Sequence, residues 1–296
     1  MTLSAPGGRT AHFATLALIL AMVLWASSFI ALEYAFRTYD PLVVIFGRML
    51  VATCCFLLVA RRLYRGCTYR RGDYRLLLFM ALCEPCLYFL FEAKAVEQTS
   101  AAQAGLITAV LPIMVMIAAA LILKEKTTWR SWVGAAVAGG GVAWLTLLSA
   151  PSEDAPNPLL GNTLEVLAMV CATGYTIAMK FLTRRYSPAF LTAFQALCGC
   201  FFYLPLLFLP FTELPDSLPL APTLAVVYLG AVITLGAYGL YNYALKHVPA
   251  ARASSFVNLI PVFSVLMAWL FLGETFTLLQ GVAALTIMGG VLLTQR

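Results

Sequence analysis

The stretch Leu20–Pro41, LAMVLWASSFIALEYAFRTYDP, comes back without a gap as Leu167–Pro188, LAMVCATGYTIAMKFLTRRYSP, with 9 of 22 positions identical. The copies lie 147 residues apart in a chain of 296. A second echo follows each: Ala101–Pro112 (AAQAGLITAVLP) returns as Ala250–Pro261 (AARASSFVNLIP), 149 residues on. The chain therefore reads as one unit written twice, 1–150 and 151–296, and a fold that suits the first half must suit the second. Composition says what sort of unit it is. Of all residues 62% are hydrophobic and 11% charged, at a mean hydropathy of +0.89. A soluble domain of this size cannot hide so much apolar surface, so the expected class is an all-α integral membrane protein with the lipid bilayer as its surroundings.

Ten apolar segments can be laid out, near 12–34, 41–60, 75–95, 101–123, 129–148, 160–182, 188–210, 222–245, 250–272 and 276–293. Each is close to the ~20 residues that cross a hydrocarbon core as a helix. Pro41, Pro188 and Pro249 stand where helices should start, since the first turn has no use for the donor that proline lacks. Ser149–Pro158 (SAPSEDAPNP) is the one linker-like stretch and joins the halves. Residues 1–11 are polar, and the apolar run beginning near His12 has no cleavage pattern, so it reads as a first span.

The formal charge of +6 does not point to nucleic acid, because its placement follows topology. With the N-terminus inside, 15 of the 19 Lys and Arg fall in cytoplasmic segments, six of them between the second and third spans. Arg37 and Lys94 fall outside, and Arg48 and Lys180 within spans. Only this orientation obeys the positive-inside rule, and it puts both termini in the cytoplasm. The six-arginine loop reads as an anchor for anionic lipid. Five spans per half make the repeats inverted, an architecture found in many transporter folds with the substrate site between the halves.

Several motifs then line up. Trp25-Ala26-Ser27-Ser28-Phe29 lies in the first span; Ala244-Leu245-Lys246 and Val248-Pro249-Ala250 precede the ninth; Pro112 and Pro261 fall within spans. Leu272-Gly273-Glu274 precedes the tenth span and is echoed by Leu123-Lys124-Glu125. In their order and doubling these resemble the drug/metabolite transporter superfamily, in its ten-span EamA-type branch, over essentially the whole chain. Ala26 departs from the family's usual Gly, and Glu92-Ala93-Lys94 has no counterpart in the second half, where Asn242-Tyr243 stands. The resemblance implies alternating-access transport of small metabolites, commonly export from the cell across the inner membrane. It leaves the substrate, the coupling ion and a homodimer open.

Glu84 falls in the middle of the third span, where a carboxylate costs ~2.5–3.5 kcal/mol or more on insertion scales. It is either a proton-coupling or cation-binding group, or a neutral acid bonded to a neighbouring helix or to backbone freed by Pro85. Tyr88 and Phe91 share its face. Arg48, about 10 Å deep in the second span at 1.5 Å per residue, suits a substrate carboxylate, but snorkelling or a pair with Glu33 explains it equally. Glu33, Glu92, Lys94 and Glu97 are expected at outer span ends, and Lys180 and Arg184 as topology anchors. Tyr238, Tyr241, Asn242 and Leu245 form one stripe; Ser255 and Asn258, Glu165, Met169 and Tyr175, and Gln195 add polar or soft groups on other spans. These line a cavity or join helices. The expected substrate cavity is walled by Trp25, Glu84, Tyr88, Tyr238, Tyr241, Asn242 and Asn258, with Arg48 in reach. Trp269 is a further candidate wall, while Trp129 and Trp132 suit the membrane surface. Gly139-Gly140-Gly141 and Gly289-Gly290 suit close helix approach.

Other classes fare poorly. No nucleotide-binding motif is present, and no cofactor is expected. Asp40, Asp73, Asp154 and Asp216 fall in loops and His12 and His247 at span ends, which leaves an intramembrane enzyme without catalysts. Cys83-Glu84-Pro85-Cys86 is a lone pair of cysteines, and all but Cys67 of the eight cysteines fit as small buried apolar groups. The favoured expectation is a secondary transporter exporting amino acids or related amines, with Glu84 exchanging a proton. Multidrug or organic-cation efflux is the alternative.

Overall fold

The computed structural model describes residues 8–58, 70–122, 128–148, 155–248, 250–273 and 277–294. The Arg61, Arg62 and Arg65 part of the basic loop, Cys67, Lys124-Glu125, the Ser149–Asp154 part of the linker, Pro249 and Glu274 lie outside them.

Among the described residues there is no β-strand, and ten helices follow the ten apolar segments. They are α1 (Gly8–Phe36), α2 (Pro41–Leu58), α3 (Asp73–Val96), α4 (101–122), α5 (Trp129–Leu148), α6 (Pro158–Leu182), α7 (Pro188–Phe208), α8 (Leu220–His247), α9 (250–272) and α10 (Leu278–Thr294). Seven of them, α1–α4 and α6–α8, are long and apolar enough to cross a membrane, whereas α5, α9 and α10 carry shorter apolar runs. A helix is what such segments must form in lipid, since it satisfies every backbone donor and acceptor within the segment.

The helix starts are written locally. Pro41, Pro158 and Pro188 each occupy a first helical position. Before them Asp40 Oδ1 accepts from Leu42 N at 2.8 Å, Asn157 Oδ1 from Leu160 N at 3.2 Å and Ser187 Oγ from Phe190 N at 3.2 Å. Such caps satisfy donors that the helix itself leaves free.

Packing respects the repeat. α1 lies against α8 and α9, and its counterpart α6 lies against α3 and α4. α2 meets α8 as α7 meets α3, while α2 with α7, α4 with α9 and α5 with α10 pair across the halves. The α5–α10 seam is close because two glycines sit in it: a Cβ on Gly290 would stand 2.4 Å from Ala138 N, and one on Gly141 2.8 Å from Ile287 Cγ1. Gly139, Gly140 and Gly289 have nothing within 4 Å and play no part in that approach.

Two kinds of departure from regular α-helix recur in both halves. Short 3₁₀ turns interrupt α4 at Thr108–Val110 and α9 at Phe256–Asn258. α3 widens at Leu82–Leu87 and α8 at Leu229–Ala237, both as π turns. Among the described residues only α3 is broken outright, with Glu84 at φ −150° and ψ 116°. Pro85 has no donor to continue the helix there, and α7 takes up what is freed. Gln195 Nε2 donates to Glu84 O at 2.6 Å, and the Tyr203 hydroxyl donates to Pro85 O at 3.2 Å and to Cys86 O.

Three placements correct the sequence reading. Trp269 is 59% exposed and walls no cavity; Trp129 and Trp132 are exposed as expected. Asp73 is not a free loop residue but the buried first residue of α3. Lys180 is more than an anchor: its Nζ donates to Leu245 O at 2.9 Å and Val248 O at 2.8 Å, closing the end of α8.

Candidate functional site

The interrupted helices meet around a central cavity of about 40 Å³. At ~10–15 Å³ per water it has room for about three waters. α3 supplies Glu84, Tyr88 and Glu92, four residues apart and so on one face, and α8 supplies Tyr238 and Tyr241. α1 adds Trp25, Ser28 and Phe29, and α2 adds Arg48. α6 closes the side with Met169, Ala172, Tyr175 and Thr176; Thr108 and Leu111 of α4 and Val257 and Ile260 of α9 complete the wall.

The aromatic part is a packed box. The Trp25 ring lies 5.0 Å from that of Tyr238 and 4.8 Å from that of Tyr241, and Phe89 and Tyr175 stand edge-on to Tyr238 at 6.2 and 6.3 Å. These are favourable tilted arrangements. Trp25 Nε1 is buried with no hydrogen-bond partner among the described residues, a donor left for whatever fills the cavity.

The charged part is just as deep. Arg48 is 2% exposed, Glu92 3% and Glu84 4%, so none of them reaches a surface. Arg48 neither snorkels nor pairs with Glu33. Its Nε donates to Thr234 Oγ1 at 3.0 Å, its Nη1 lies 3.8 Å from Glu92 Oε2, and its guanidinium sits 3.9 Å above the Phe89 ring. Glu33 instead meets Arg37 at the surface. Glu92, expected at a solvated span end, is the buried partner of Arg48 and accepts from the Tyr88 hydroxyl at 2.8 Å. Its signal was present in the sequence, because Glu92 continues the four-residue spacing of Glu84 and Tyr88.

Of the expected wall, the structure brings together Trp25, Arg48, Glu84, Tyr88, Tyr238 and Tyr241. Asn242 and Asn258 are not in the lining. Asn242 is fully buried and serves as a junction: it accepts from the Tyr175 hydroxyl and donates to Thr192 Oγ1 at 2.9 Å, tying α8 to α6 and α7. Asn258 is buried with neither amide atom partnered among the described residues. A stripe argument cannot separate these cases, since a polar group beside a cavity and one between helices share the same face of α8 or α9. No group of three or more metal-ligating side chains occurs among the described residues.

Away from the cavity, two contacts close the ends of the long helices. Between α1 and α2, the Tyr39 hydroxyl meets Thr223 Oγ1 of α8 at 2.6 Å. Between α6 and α7, the Tyr186 hydroxyl donates to Asp73 Oδ2 at 2.9 Å, and Arg185 Nη1 lies 2.9 Å from Asp73 Oδ1. Desolvation, then the hydrogen bond and charge of Asp73, push the Tyr186 phenol up to about 12, so it is a neutral donor at physiological pH.

Comparison with known proteins agrees with this architecture. YcxC of Bacillus subtilis (strain 168), described as an uncharacterized transporter, is 26% identical over 291 residues, spanning 94% of this chain and 91% of that protein. An uncharacterized transporter of Archaeoglobus fulgidus is 28% identical over 94% of this chain and 97% of its own. A probable terminal-alkyne amino-acid exporter of Streptantibioticus cattleyicolor is 28% identical over 95% of this chain and 92% of its own. A crystal structure at 20% identity superposes with a TM-score of 0.68, covering 96% of this chain and 98% of that one, and so shares the fold. The EamA-like transporter family matches twice, over residues 12–147 and 159–296, and with both repeats accounted for the chain belongs to that family.

Proposed function

We propose that this transporter is a secondary, alternating-access exporter of small amine-bearing or zwitterionic metabolites such as amino acids, coupled to protons through Glu84. The observation that carries the proposal is the placement of Glu84: a buried carboxyl at the one break in α3, facing a box of Trp25, Tyr238 and Tyr241. A carboxylate among aromatic faces attracts a cationic amine, and a proton is its natural replacement when the amine leaves. Arg48, held by Glu92 and Thr234, is in reach of a substrate carboxylate. The relative named as an amino-acid exporter supports the same substrate class.

In this reading ten spans cross the inner membrane as two inverted repeats with both termini cytoplasmic. A cavity of about 40 Å³ cannot take a metabolite, so loading requires the halves to part, as alternating access demands. Cysteines placed in the 152–154 linker should label only from outside; labelling only from the cytoplasm refutes the orientation. Thermal stabilisation over panels of amino acids, amines and purines identifies the ligand class; a response confined to organic cations that lack a carboxylate favours the multidrug alternative. Glu84→Gln keeps shape and hydrogen bonding, and should flatten the pH dependence of binding and abolish proton-driven accumulation. Unchanged proton-driven flux in that variant refutes the coupling role.

A further inference from the structure

We infer that Glu165 is a second proton-carrying site, joined to Glu92 in a polar seam that runs from the central cavity along α6 to Asn162. The inference rests on the transport reading above, and adds a residue and a route that reading does not contain.

Glu165 is 0% exposed, and neither of its carboxyl oxygens has a hydrogen-bond partner among the described residues. An ionised carboxylate in that position would have lost water and gained no donor, at a cost of several kcal/mol. A proton removes the cost. The charge balance of the interior agrees: Glu84, Glu92 and Glu165 are buried with one buried arginine, Arg48, and Arg48 is directed at Glu92. The other two carboxyls are then carried as neutral acids.

Position makes the second acid useful. On α6, Asn162, Glu165, Met169 and Ala172 recur at helical spacing on one stripe, and the last two line the cavity. At the other end of the stripe, Asn162 accepts from Thr99 Oγ1 at 2.8 Å and donates to Gln103 Oε1 at 3.3 Å. α3 packs along α6 and brings Glu92 and Tyr88 within electrostatic reach of Glu165, with Arg48 of α2 behind Glu92. α4 contributes the neutral Gln103. When the O–H bond of Glu165 breaks, an O–H bond forms on Glu92 or on water entering the seam. If Glu92 takes the proton, its ion pair with Arg48 is given up and the negative charge moves to Glu165.

The fold does not require this seam. The repeat places Leu18 where Glu165 stands and Thr15 where Asn162 stands, so the matching position in α1 is apolar. The acid stands in one half alone.

The test is infrared spectroscopy of the full chain in lipid vesicles, in water and in D₂O, which needs no substrate. The wild type should show protonated-carboxyl C=O absorption that shifts in D₂O. Glu165→Gln should remove one component of it and Glu84→Gln another. Gln mimics a neutral acid, so Glu165→Gln should fold with an unchanged melting temperature; a variant that does not fold means the ionised form is needed and overturns the inference. So does an absorption that Glu165→Gln leaves intact. Asn162→Leu spares the acid but severs the seam, and should slow deuterium exchange of the Glu165 component by about fivefold or more; unchanged exchange rejects the route. Proton-driven flux in wild type and Glu84→Gln is a separate measurement. Its failure rejects the transport reading, while the infrared result still decides Glu165.

Discussion

The two ends of the molecule are built on one template and closed by different chemistry. Tyr39 and Tyr186 are the same residue of the repeat, and each ties the turn after a long helix to the start of one that a π turn widens. At the first end the tie is one neutral hydroxyl pair, Tyr39 with Thr223. At the second, Asp73 accepts from Tyr186, from Arg70 N at 3.2 Å and from Arg185, while Lys180 holds two carbonyls at the end of α8. The first-half counterpart of Lys180 is Glu33, which pairs with Arg37 one helical turn on. In the proposed orientation the charged end is cytoplasmic. The repeat thus gives both ends one template with different ties, and in the proposed alternating-access cycle the charged end costs more to open than the other. Charge-assisted bonds are roughly twice as strong as neutral ones, so the end near Tyr39 is the one expected to open first.

The sharpest way to break that difference is Asp73→Ala. It removes an acceptor that serves three donors and leaves Arg185 without its carboxylate. Each charged hydrogen bond is worth about 1.5–3 kcal/mol, with the Arg185 share reduced by that side chain's partial exposure. The expected outcome is a clear fall in melting temperature, together with faster labelling, from the cytoplasmic side, of a cysteine introduced at the cavity wall. Labelling that quickens from the outside instead would reverse the assignment of the two ends.

Lys180→Met comes next. Two carbonyls at the end of α8 lose their donor, at about 1–3 kcal/mol for buried groups left unsatisfied. The same cytoplasmic opening should appear with a smaller stability loss.

The paired variants Tyr186→Phe and Tyr39→Phe compare the ends directly. The first loses a hydrogen bond to a charged acceptor, about 1.5–3 kcal/mol, and the second a neutral one, about 0.5–1.5 kcal/mol. Equal losses would show that the ends are equivalent after all. pH gives an independent reading. The Tyr186 phenol is raised from 10 to about 12 in the folded chain, chiefly by desolvation and then by Asp73. A raised value means that its stabilisation is complete below about pH 10 and disappears as pH climbs through about 12. The wild-type end should therefore hold across the neutral range and weaken only in strong alkali, and Tyr186→Phe should lack that alkaline step.

Much of this architecture was legible in the sequence because it is written in periods and caps. The ten apolar segments, the helix starts at Pro41 and Pro188 and the repeat itself follow from composition and spacing. The aromatic box was legible too, because Trp25, Tyr238 and Tyr241 interrupt apolar runs at helical intervals. Long-range pairing was not. Nothing local says that Asp73 waits for Tyr186, more than a hundred residues on, or that Lys180 reaches α8 instead of lipid headgroups. Depth was misjudged for Glu92, because counting residues from a span end assumes that an acid near the end meets water. The packing of α2 against α3 puts Arg48 there instead. Asn242 was misplaced for the converse reason: a polar residue on the cavity stripe can be used up by neighbours before it reaches the cavity.

The smallest effect is expected at Glu33, and its smallness is informative. Glu33 and Lys180 share a repeat position, so a duplicated latch would make both matter. The two positions make different contacts. The Arg37–Glu33 contact is a 3.4 Å pair one helical turn apart, with the Arg37 side chain 55% and the Glu33 side chain 13% exposed, so solvent screens it from the Arg37 side. Such pairs are worth about 0.3–0.5 kcal/mol on a helix in water, and often nothing measurable. Glu33→Gln should thus leave melting temperature and cysteine labelling at both faces within error of wild type, at low and high salt alike. Its partner substitution, Lys180→Met, should change both. If Glu33→Gln opens the outer end as Lys180→Met opens the inner one, then the carboxylate does structural work that a solvated pair cannot do, and the two ends are symmetric latches. If it does nothing, the repeat kept the tie at both helix ends and left the Glu33 charge without a part in it, which is the asymmetry that Asp73, Arg185 and Lys180 impose from the other side.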